Sequence, residues 1–184
     1  MRLSVRACRI GLVWNLFLIF SFTFLFVISS KAKIPLPFTP VPITFQTLVL
    51  FLAIAVLKEN SIYCISLYIG LGLLGWPFFS GGGGFSYIFG PTGGYLVGFL
   101  SASLIFSPLL RRLSYQNISF GTLCLLFFCI NLWIYLSGVL WLKSLLGITL
   151  RKALAIGVLP FIFGDLVKIF IASSLSIKFL RKKC

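Results

Sequence analysis

The sequence predicts an all-α integral membrane protein, and three observations support that fold class. Of the 184 residues, 60% are hydrophobic and only 10% are charged. A soluble domain carries about 25% charged residues, because its surface faces water. The apolar residues lie in long unbroken runs, and the mean hydropathy is +1.13. We therefore expect one membrane domain, covering residues 1–184, whose apolar surface faces the lipid bilayer.

Six apolar segments are suited to membrane-spanning helices, although the second is short. A helix needs about 20 residues to cross the hydrocarbon core. The first segment is longer than the apolar region of a signal peptide and no A-x-A site follows it, so we expect it to be retained. The six segments cover residues 10–30, 43–57, 61–79, 92–110, 118–142 and 153–178.

The basic residues between these segments predict the orientation of the chain. With a cytoplasmic N-terminus, ten Lys and Arg residues fall on the inner side and five on the outer side. Cytoplasmic loops carry the excess of Lys and Arg, so both termini are expected inside. The inner set is Arg2, Arg6, Arg9, Lys58, Arg111, Arg112, Lys178, Arg181, Lys182 and Lys183, and the outer set is Lys31, Lys33, Lys143, Arg151 and Lys152.

Several classes of function are disfavoured by composition. The net charge of +14 would suggest nucleic acid in a soluble protein, but no basic face or polar aromatic strand is visible. The chain has no His, which removes the commonest metal ligand and the usual general base, so we expect neither an enzyme nor a metal site. No G-x-x-x-x-G-K-[ST] motif occurs, so no ATPase and no cofactor are expected within this chain. The five Cys residues lack a C-x-x-C pair and are expected to be reduced.

Two predicted outer connections have unusual compositions. Residues 34–42 contain four prolines among mostly apolar residues, which predicts a stiff, extended loop buried against protein. Residues 80–95 contain four consecutive glycines, which allow the backbone to approach a ligand closely. Phe85, Tyr87 and Phe89 alternate there, as aromatic residues on one face of an extended segment do. A flexible link is the alternative interpretation of this second loop, but two apolar loops on one side of a bundle favour a lid.

The sixth segment contains the only acidic residue within a predicted span, Asp165. It lies about 18 Å below the outer end of that segment, and a charge at that depth is costly. Lys168 follows three residues later, on the same helix face. Pro160 and Gly164 are expected to loosen the helix just above the pair. The pair either joins helices structurally or binds a ligand that carries N–H donors and an oxygen on an apolar body.

Three stretches resemble the signature sequences of the BioY family, the biotin-specific S components of energy-coupling-factor (ECF) transporters. They read KIPLPFTPVPITFQTLVLFLA, LYIGLGLLGWPFFSGGGGFSYIFGPTGGYLVGF and LPFIFGDLVK. They occur in the family's order between about Lys33 and Lys168. The resemblance implies a six-helix S-component bundle with both termini cytoplasmic, in agreement with the charge count.

The resemblance also implies a biotin site. Asp165 would accept hydrogen bonds from the ureido N–H groups, and Lys168 would donate to a ligand oxygen. The proline loop would cap the pocket, and the glycine-rich loop would supply backbone amides and aromatic walls. The further biotin-binding residues expected on this basis are Thr39, Val41, Gln46, Phe79, Gly83, Phe85, Tyr87 and Tyr95, with Pro42 and Thr44 nearby.

The function implied is a biotin-binding subunit for vitamin uptake, multi-pass in the bacterial inner (cytoplasmic) membrane. Its expected partners are biotin, an ECF membrane coupling subunit and two ABC-type ATPases. A solitary biotin transporter and an S component for another vitamin are the alternatives within transport. A structural membrane protein is the alternative outside transport, and it predicts that Asp165→Asn leaves function intact.

Overall fold

The computed structural model describes residues 2–112 and 118–181, with side chains from 11 to 112 and from 118 to 180. Part of the predicted connection from Arg111 to Asn117 therefore lies outside the described residues, as do Lys182 and Lys183. The side chains of the N-terminal arginines counted above, and that of Arg181, are also outside them.

The described residues are mostly helical, with one small sheet. A 3₁₀ turn at Lys58–Asn60 separates α2 from α3. In chain order the elements are α1 (Arg2–Lys31), β1 (Lys33–Ile34), β2 (Ile43–Thr44), α2 (Gln46–Leu57), α3 (Ser61–Leu73), α4 (Phe85–Ile88), α5 (Gly93–Arg112), α6 (Phe120–Leu146), α7 (Leu150–Gly157) and α8 (Ile162–Arg181).

Four helical stretches in the described residues are long and apolar enough to cross a membrane. They are Gly11–Lys31, Gln46–Leu73, Gly93–Arg112 and Phe120–Leu146, and α7 with α8 forms a fifth if this bent pair is one span. The predicted helical membrane protein is confirmed at this level. The count of six spans is not confirmed by length and composition alone, because α2 and α3 are each too short to be counted separately.

The stretch Gln46–Leu73 is folded into a hairpin rather than extended. The amide Nε2 of Gln46 donates to the hydroxyl of Tyr68 at 2.7 Å. In a straight helix these residues would lie about 33 Å apart. The reversal occurs at Lys58, whose φ of 57° is uncommon for a residue other than glycine. The polar tripeptide predicted to separate the second and third segments therefore lies at the turn.

Small residues allow α5 and α6 to pack closely. A Cβ atom on Gly94 would clash with Trp141, and one on Gly98 would clash with the Ser137 hydroxyl. Such close approach of backbones is how helices associate when lipid supplies no hydrophobic driving force. The glycines at the start of α5 are thus packing residues as well as part of the glycine-rich stretch.

The proline-rich connection forms the loop of a short hairpin. β1 and β2 pair antiparallel, with Lys33 opposite Thr44 and Ile34 opposite Ile43. The Thr39 hydroxyl donates to the carbonyl of Ile156 at 2.8 Å, which fastens the loop to the end of α7. This proline hairpin, residues 33–44, therefore lies over the bundle, but the expectation that it is buried against protein is wrong for most of it: Thr39 and Val41 are buried, whereas Ile34 and Phe38 are 58% and 62% exposed.

The expectation that three aromatic residues share one face of an extended segment is wrong. Residues 85–88 form the helical turn α4, which begins after Gly84 with φ of 91°. Residues two apart in a helix point to nearly opposite sides. Phe85 and Phe89 are accordingly 66% and 63% exposed, whereas Tyr87 is half-buried and faces the bundle.

The predicted sixth span is broken. α7 and α8 meet at an angle of 53° across residues 158–161, near the proline at which the sequence predicts loosening. Asp165 therefore lies in the first turn of α8 rather than deep within one continuous helix. Its backbone N–H donates to the Phe161 carbonyl at 2.8 Å. The break exposes the start of α8 to the interior of the bundle.

Candidate functional site

A cavity lies between α2, α5, α6 and α8, beneath the proline hairpin and the glycine-rich loop. It contains about 590 Å³ of empty space, counting the space at its open mouth. Most of its lining atoms are apolar or aromatic, with a few polar groups that converge on α8, which is usual for a small-molecule site. We call it the inner cavity, and it is lined by Val41, Pro42, Thr44, Gln46, Thr47, Tyr68, Ser80, Tyr87, Thr92, Tyr95, Leu96, Phe99, Ile134, Tyr135, Phe161, Asp165 and Lys168.

A buried ion pair lies in the wall of the inner cavity. The Lys168 ammonium is 2.7 Å from Asp165 Oδ1, and both side chains are more than nine-tenths buried. The three-residue spacing places them on one face of α8, as the sequence predicts. A buried pair of this kind is stable only when the remaining donors and acceptors are also satisfied.

Two further side chains donate to the Asp165 carboxylate. The Tyr135 hydroxyl of α6 donates to Oδ2 at 2.6 Å, and the Thr47 hydroxyl of α2 donates to Oδ1 at 3.2 Å. With Lys168, they fill three of the roughly four acceptor positions of a carboxylate. One acceptor position is left for a donor that enters from the inner cavity.

Lys168 has a contact for each of its three protons. Its ammonium donates to Asp165 Oδ1 and to the Thr44 carbonyl, both at 2.7 Å, and to the Thr47 hydroxyl at 3.2 Å. An ammonium offers three donors in all. A ligand oxygen must therefore replace one of these partners if Lys168 is to bind it directly.

Aromatic residues and one amide complete the walls. Gln46 is held by its hydrogen bond to Tyr68, which is itself fully buried. The Tyr87 hydroxyl is 2.6 Å from Ser80 Oγ, and the Tyr95 hydroxyl donates to the Gly157 carbonyl at 2.7 Å. These contacts turn the rings toward an apolar ligand body while their polar ends remain satisfied.

The structure brings most of the predicted site residues together. Thr39 lies above the inner cavity, in the hairpin, with its hydroxyl on α7. The predicted residues that line the inner cavity are Val41, Gln46, Tyr87, Tyr95, Asp165 and Lys168, with the neighbouring Pro42 and Thr44.

Besides Thr39, three predicted residues do not line the inner cavity. Phe79 is fully buried behind the wall, stacked on Tyr87 with ring centroids 4.8 Å apart. Gly83 packs so closely on the Trp76 carbonyl that a Cβ would clash with it. Phe85 points away from the bundle. These residues shape the loop, and their direct contact with a ligand stays a prediction that this geometry does not support.

Four polar residues of the cavity wall, Thr47, Tyr68, Thr92 and Tyr135, were not predicted from the sequence. Each is a hydroxyl side chain in a predicted span, and a buried carboxylate requires such donors. The spans contain many other hydroxyl side chains, so the sequence does not say which of them reach Asp165. The apolar residues missed, Leu96, Phe99, Ile134 and Phe161, carry no comparable signal.

Within the described residues, no group of three or more His, Cys, Asp or Glu side chains is placed to hold a metal ion. The inner cavity offers hydrogen-bonding groups and aromatic walls to a ligand. It suits a molecule with an N–H donor head and an apolar body.

Comparisons with known proteins identify relatives over most of the chain. The chain is 34% identical to the biotin transporter BioY2 of Lactococcus lactis subsp. cremoris over 142 residues, covering 74% of each protein. It is 32% identical to the biotin transporter BioY of Thermotoga maritima over 145 residues, covering 72% of this chain and 77% of that one.

The fold has a counterpart among solved structures. The crystal structure of the S-component for biotin from an ECF-type ABC transporter superposes with a TM-score of 0.85. The two chains are 26% identical, and the match covers 94% of this chain and 93% of the other. These relatives are transport proteins rather than enzymes, in agreement with the composition. The family model of BioY matches residues 3–183, and the chain therefore belongs to the BioY family.

Proposed function

We propose that this chain is a membrane biotin-binding component for vitamin uptake. The observation that carries the proposal is the buried Asp165 carboxylate, which faces the inner cavity with an acceptor position left over. Biotin presents ureido N–H donors on a compact, largely apolar bicyclic ring. The named function of the relatives and of the solved S-component supports the same ligand.

Biotin enters head first in this proposal. One of its ureido N–H groups donates to Asp165, and its ring system packs against Tyr95 and Phe99. A ligand oxygen replaces the Thr47 hydroxyl, the most distant of the three partners of Lys168. Lys168 thus holds the carboxylate in position and then takes part in binding. Because water is excluded, these charge-assisted contacts are stronger than they would be in solvent.

The chain crosses the membrane six times in this proposal, with both termini in the cytoplasm. Support comes from the hairpin reversal between α2 and α3, which folds one apolar stretch into two helices that run in opposite directions. Support for the orientation comes from the excess of Lys and Arg on the side of the termini. The proline hairpin and the glycine-rich loop then lie on the outer side, where a vitamin arrives. The membrane is the bacterial inner membrane.

The partners proposed are an ECF membrane coupling subunit and two ABC-type ATPases. The sequence contains no G-x-x-x-x-G-K-[ST] motif, so ATP-driven uptake would need ATPase subunits supplied by other proteins. The solved S-component belongs to an ECF-type ABC transporter, which supports this assignment. Co-purification of the tagged chain with such subunits from its native membrane tests it.

Thermal unfolding of the detergent-purified chain tests the ligand. The chain is compared without ligand and with biotin, riboflavin or thiamine, and the series is repeated on Asp165→Asn. A ligand that binds only the folded state at about 100 times its Kd adds about 2.7 kcal/mol of stability. We expect stabilisation by biotin alone, lost in the variant.

Stabilisation by riboflavin or thiamine instead of biotin would contradict the ligand and keep the transport class. No stabilisation by any vitamin, with function unchanged in Asp165→Asn, would favour a structural membrane protein.

A further inference from the structure

A second cavity lies above the inner one, between the proline hairpin and the glycine-rich loop. It contains about 760 Å³ of empty space, including the space open to the outside. We call it the outer chamber. Pro42, Ser80, Tyr87 and Thr92 line both cavities and so form the neck between them. The hydrogen bond between Ser80 and Tyr87, at 2.6 Å, lies in this neck.

The two cavities differ in charge. The charged residues that line the inner cavity are Asp165 and Lys168, which neutralise each other. Lys33 is the one charged residue among the described residues that line the outer chamber. The lining of the two cavities together therefore carries one uncompensated positive charge, at the outer end.

Lys33 keeps most of its donor capacity for a ligand. Its ammonium donates to the Ser80 carbonyl at 2.6 Å, which holds the group beside the neck. An ammonium has three protons, and this is the one hydrogen bond that it makes within the described part of the chain. The nearest anion available to it must come from outside the protein, since the two acids of the chain are both paired elsewhere.

We propose that the outer chamber binds the anionic end of an elongated ligand and that Lys33 is the residue that selects for this negative charge. The inference rests on the proposed function, because the ligand's donor head is taken to lie at Asp165. The ligand class is then a molecule with an N–H donor head, an apolar middle that passes Tyr87, and a terminal carboxylate. A neutral amide of the same acid fits the inner cavity equally well but lacks the negative charge that Lys33 attracts.

The chain offers a matched control in Lys31. Its ammonium donates to the Phe79 carbonyl at 2.7 Å, next to the carbonyl that Lys33 uses. Both lysines therefore fasten the glycine-rich loop, and both lie at the outer side. Lys31 lines neither cavity. Removal of either charge loosens the loop and changes net charge alike, but only Lys33→Gln removes a charge from the outer chamber.

The test measures Kd for biotin and for biotinamide by titration calorimetry on the full chain in detergent. The variants are Lys33→Gln, Lys33→Arg and Lys31→Gln. We expect Lys33→Gln to weaken biotin about tenfold more than it weakens biotinamide, because a charge-assisted contact is lost only with the acid. Lys33→Arg keeps the preference for the acid, and Lys31→Gln, which only loosens the loop, changes both affinities by the same factor. Added salt weakens biotin binding to the wild type more than biotinamide binding.

Equal weakening of both ligands by Lys33→Gln would overturn the inference and assign Lys33 to loop closure. Unchanged biotin affinity in Lys33→Gln would also overturn it and place the carboxylate elsewhere. If the wild-type chain binds both ligands with equal affinity, the proposed role of the outer chamber is contradicted, but the proposed function stands. A wild-type chain that binds neither ligand contradicts the proposed function as well.

Discussion

The two acidic residues of the chain form ion pairs of the same length in opposite surroundings. Glu59 and Arg111 are 2.7 Å apart with side chains 50% and 65% exposed. Asp165 and Lys168 are also 2.7 Å apart, but with side chains 6% and 9% exposed. An exposed pair contributes about 0–1 kcal/mol, because solvent screens it. The comparison teaches that burial and the additional donors, rather than the distance, distinguish a binding group from a surface contact.

The elements that hold each pair differ as well. Glu59 lies in the 3₁₀ turn after α2, and Arg111 lies near the end of α5. The buried pair is instead surrounded by hydroxyls from α2 and α6 and by a carbonyl of β2. A shift of any of these elements would change the direction of the carboxylate. The geometry of the buried pair therefore depends on the packing of several elements, whereas that of the exposed pair depends only on the turn after α2 and the end of α5.

The largest expected effect separates the two acids directly. Asp165→Asn replaces an acceptor by an amide, and we expect biotin affinity to fall on the order of 100-fold, since hydrogen bonds to charged groups contribute about 1.5–3 kcal/mol. Glu59→Gln is the matched control and should leave affinity unchanged. Titration calorimetry measures both. An equal loss in the two variants would show that net charge, and not the cavity, governs binding.

The second test removes the cation from each pair. Lys168→Met leaves a buried carboxylate without its partner, which costs about 3–5 kcal/mol of unfolding free energy. Arg111→Met should cost less than about 1 kcal/mol. Denaturant unfolding in detergent measures both values. The double variant Asp165→Leu with Lys168→Met should recover part of the stability while binding no biotin. Similar losses of stability in Lys168→Met and Arg111→Met would contradict the distinction between the buried and the exposed pair.

A smaller effect is expected from Tyr135→Phe. The change removes the hydroxyl that donates to Asp165 Oδ2 and keeps the ring in the cavity wall. Biotin affinity should fall about tenfold, because the carboxylate loses an orienting hydrogen bond of about 1.5 kcal/mol. Unchanged affinity would mean that Tyr135 serves only as a wall. Tyr63→Phe, at an exposed tyrosine, is the control.

The smallest effect is expected from Thr47→Val. The Thr47 hydroxyl donates to Asp165 and accepts from Lys168, but both contacts are 3.2 Å long. We expect a loss of about 1 kcal/mol in stability and a change in biotin Kd of about fivefold or less. If a ligand oxygen replaces this hydroxyl, the effect on affinity will be smaller than that on stability. A loss larger than that of Tyr135→Phe would contradict this order.

The sequence identifies candidate site residues most clearly where ionisable side chains are rare. An acid in an apolar run is costly, so the amino-acid pattern by itself singles out Asp165 and Lys168. The resemblance to a known family then supplies the loop residues. It is less reliable there: Val41 and Tyr87 line the inner cavity, whereas Phe79 and Phe85 do not. For Phe85 the reason is that α4 turns where an extended segment was expected, so alternate residues point to different sides. Phe79 is instead buried behind the wall, stacked on Tyr87.

Composition and patterning alone established a helical membrane protein with one ionisable pair and two loops of unusual composition, because hydrocarbon strongly restricts the charges and backbone that it can contain. The tertiary structure alone decided which donors surround that pair. Tyr135 is 30 positions from Asp165 and Thr47 is 118 positions from it, and only the packing of α2, α6 and α8 brings them within hydrogen-bond distance. The break between α7 and α8 likewise depends on neighbours, since the Thr39 and Tyr95 hydroxyls bind the carbonyls that end α7.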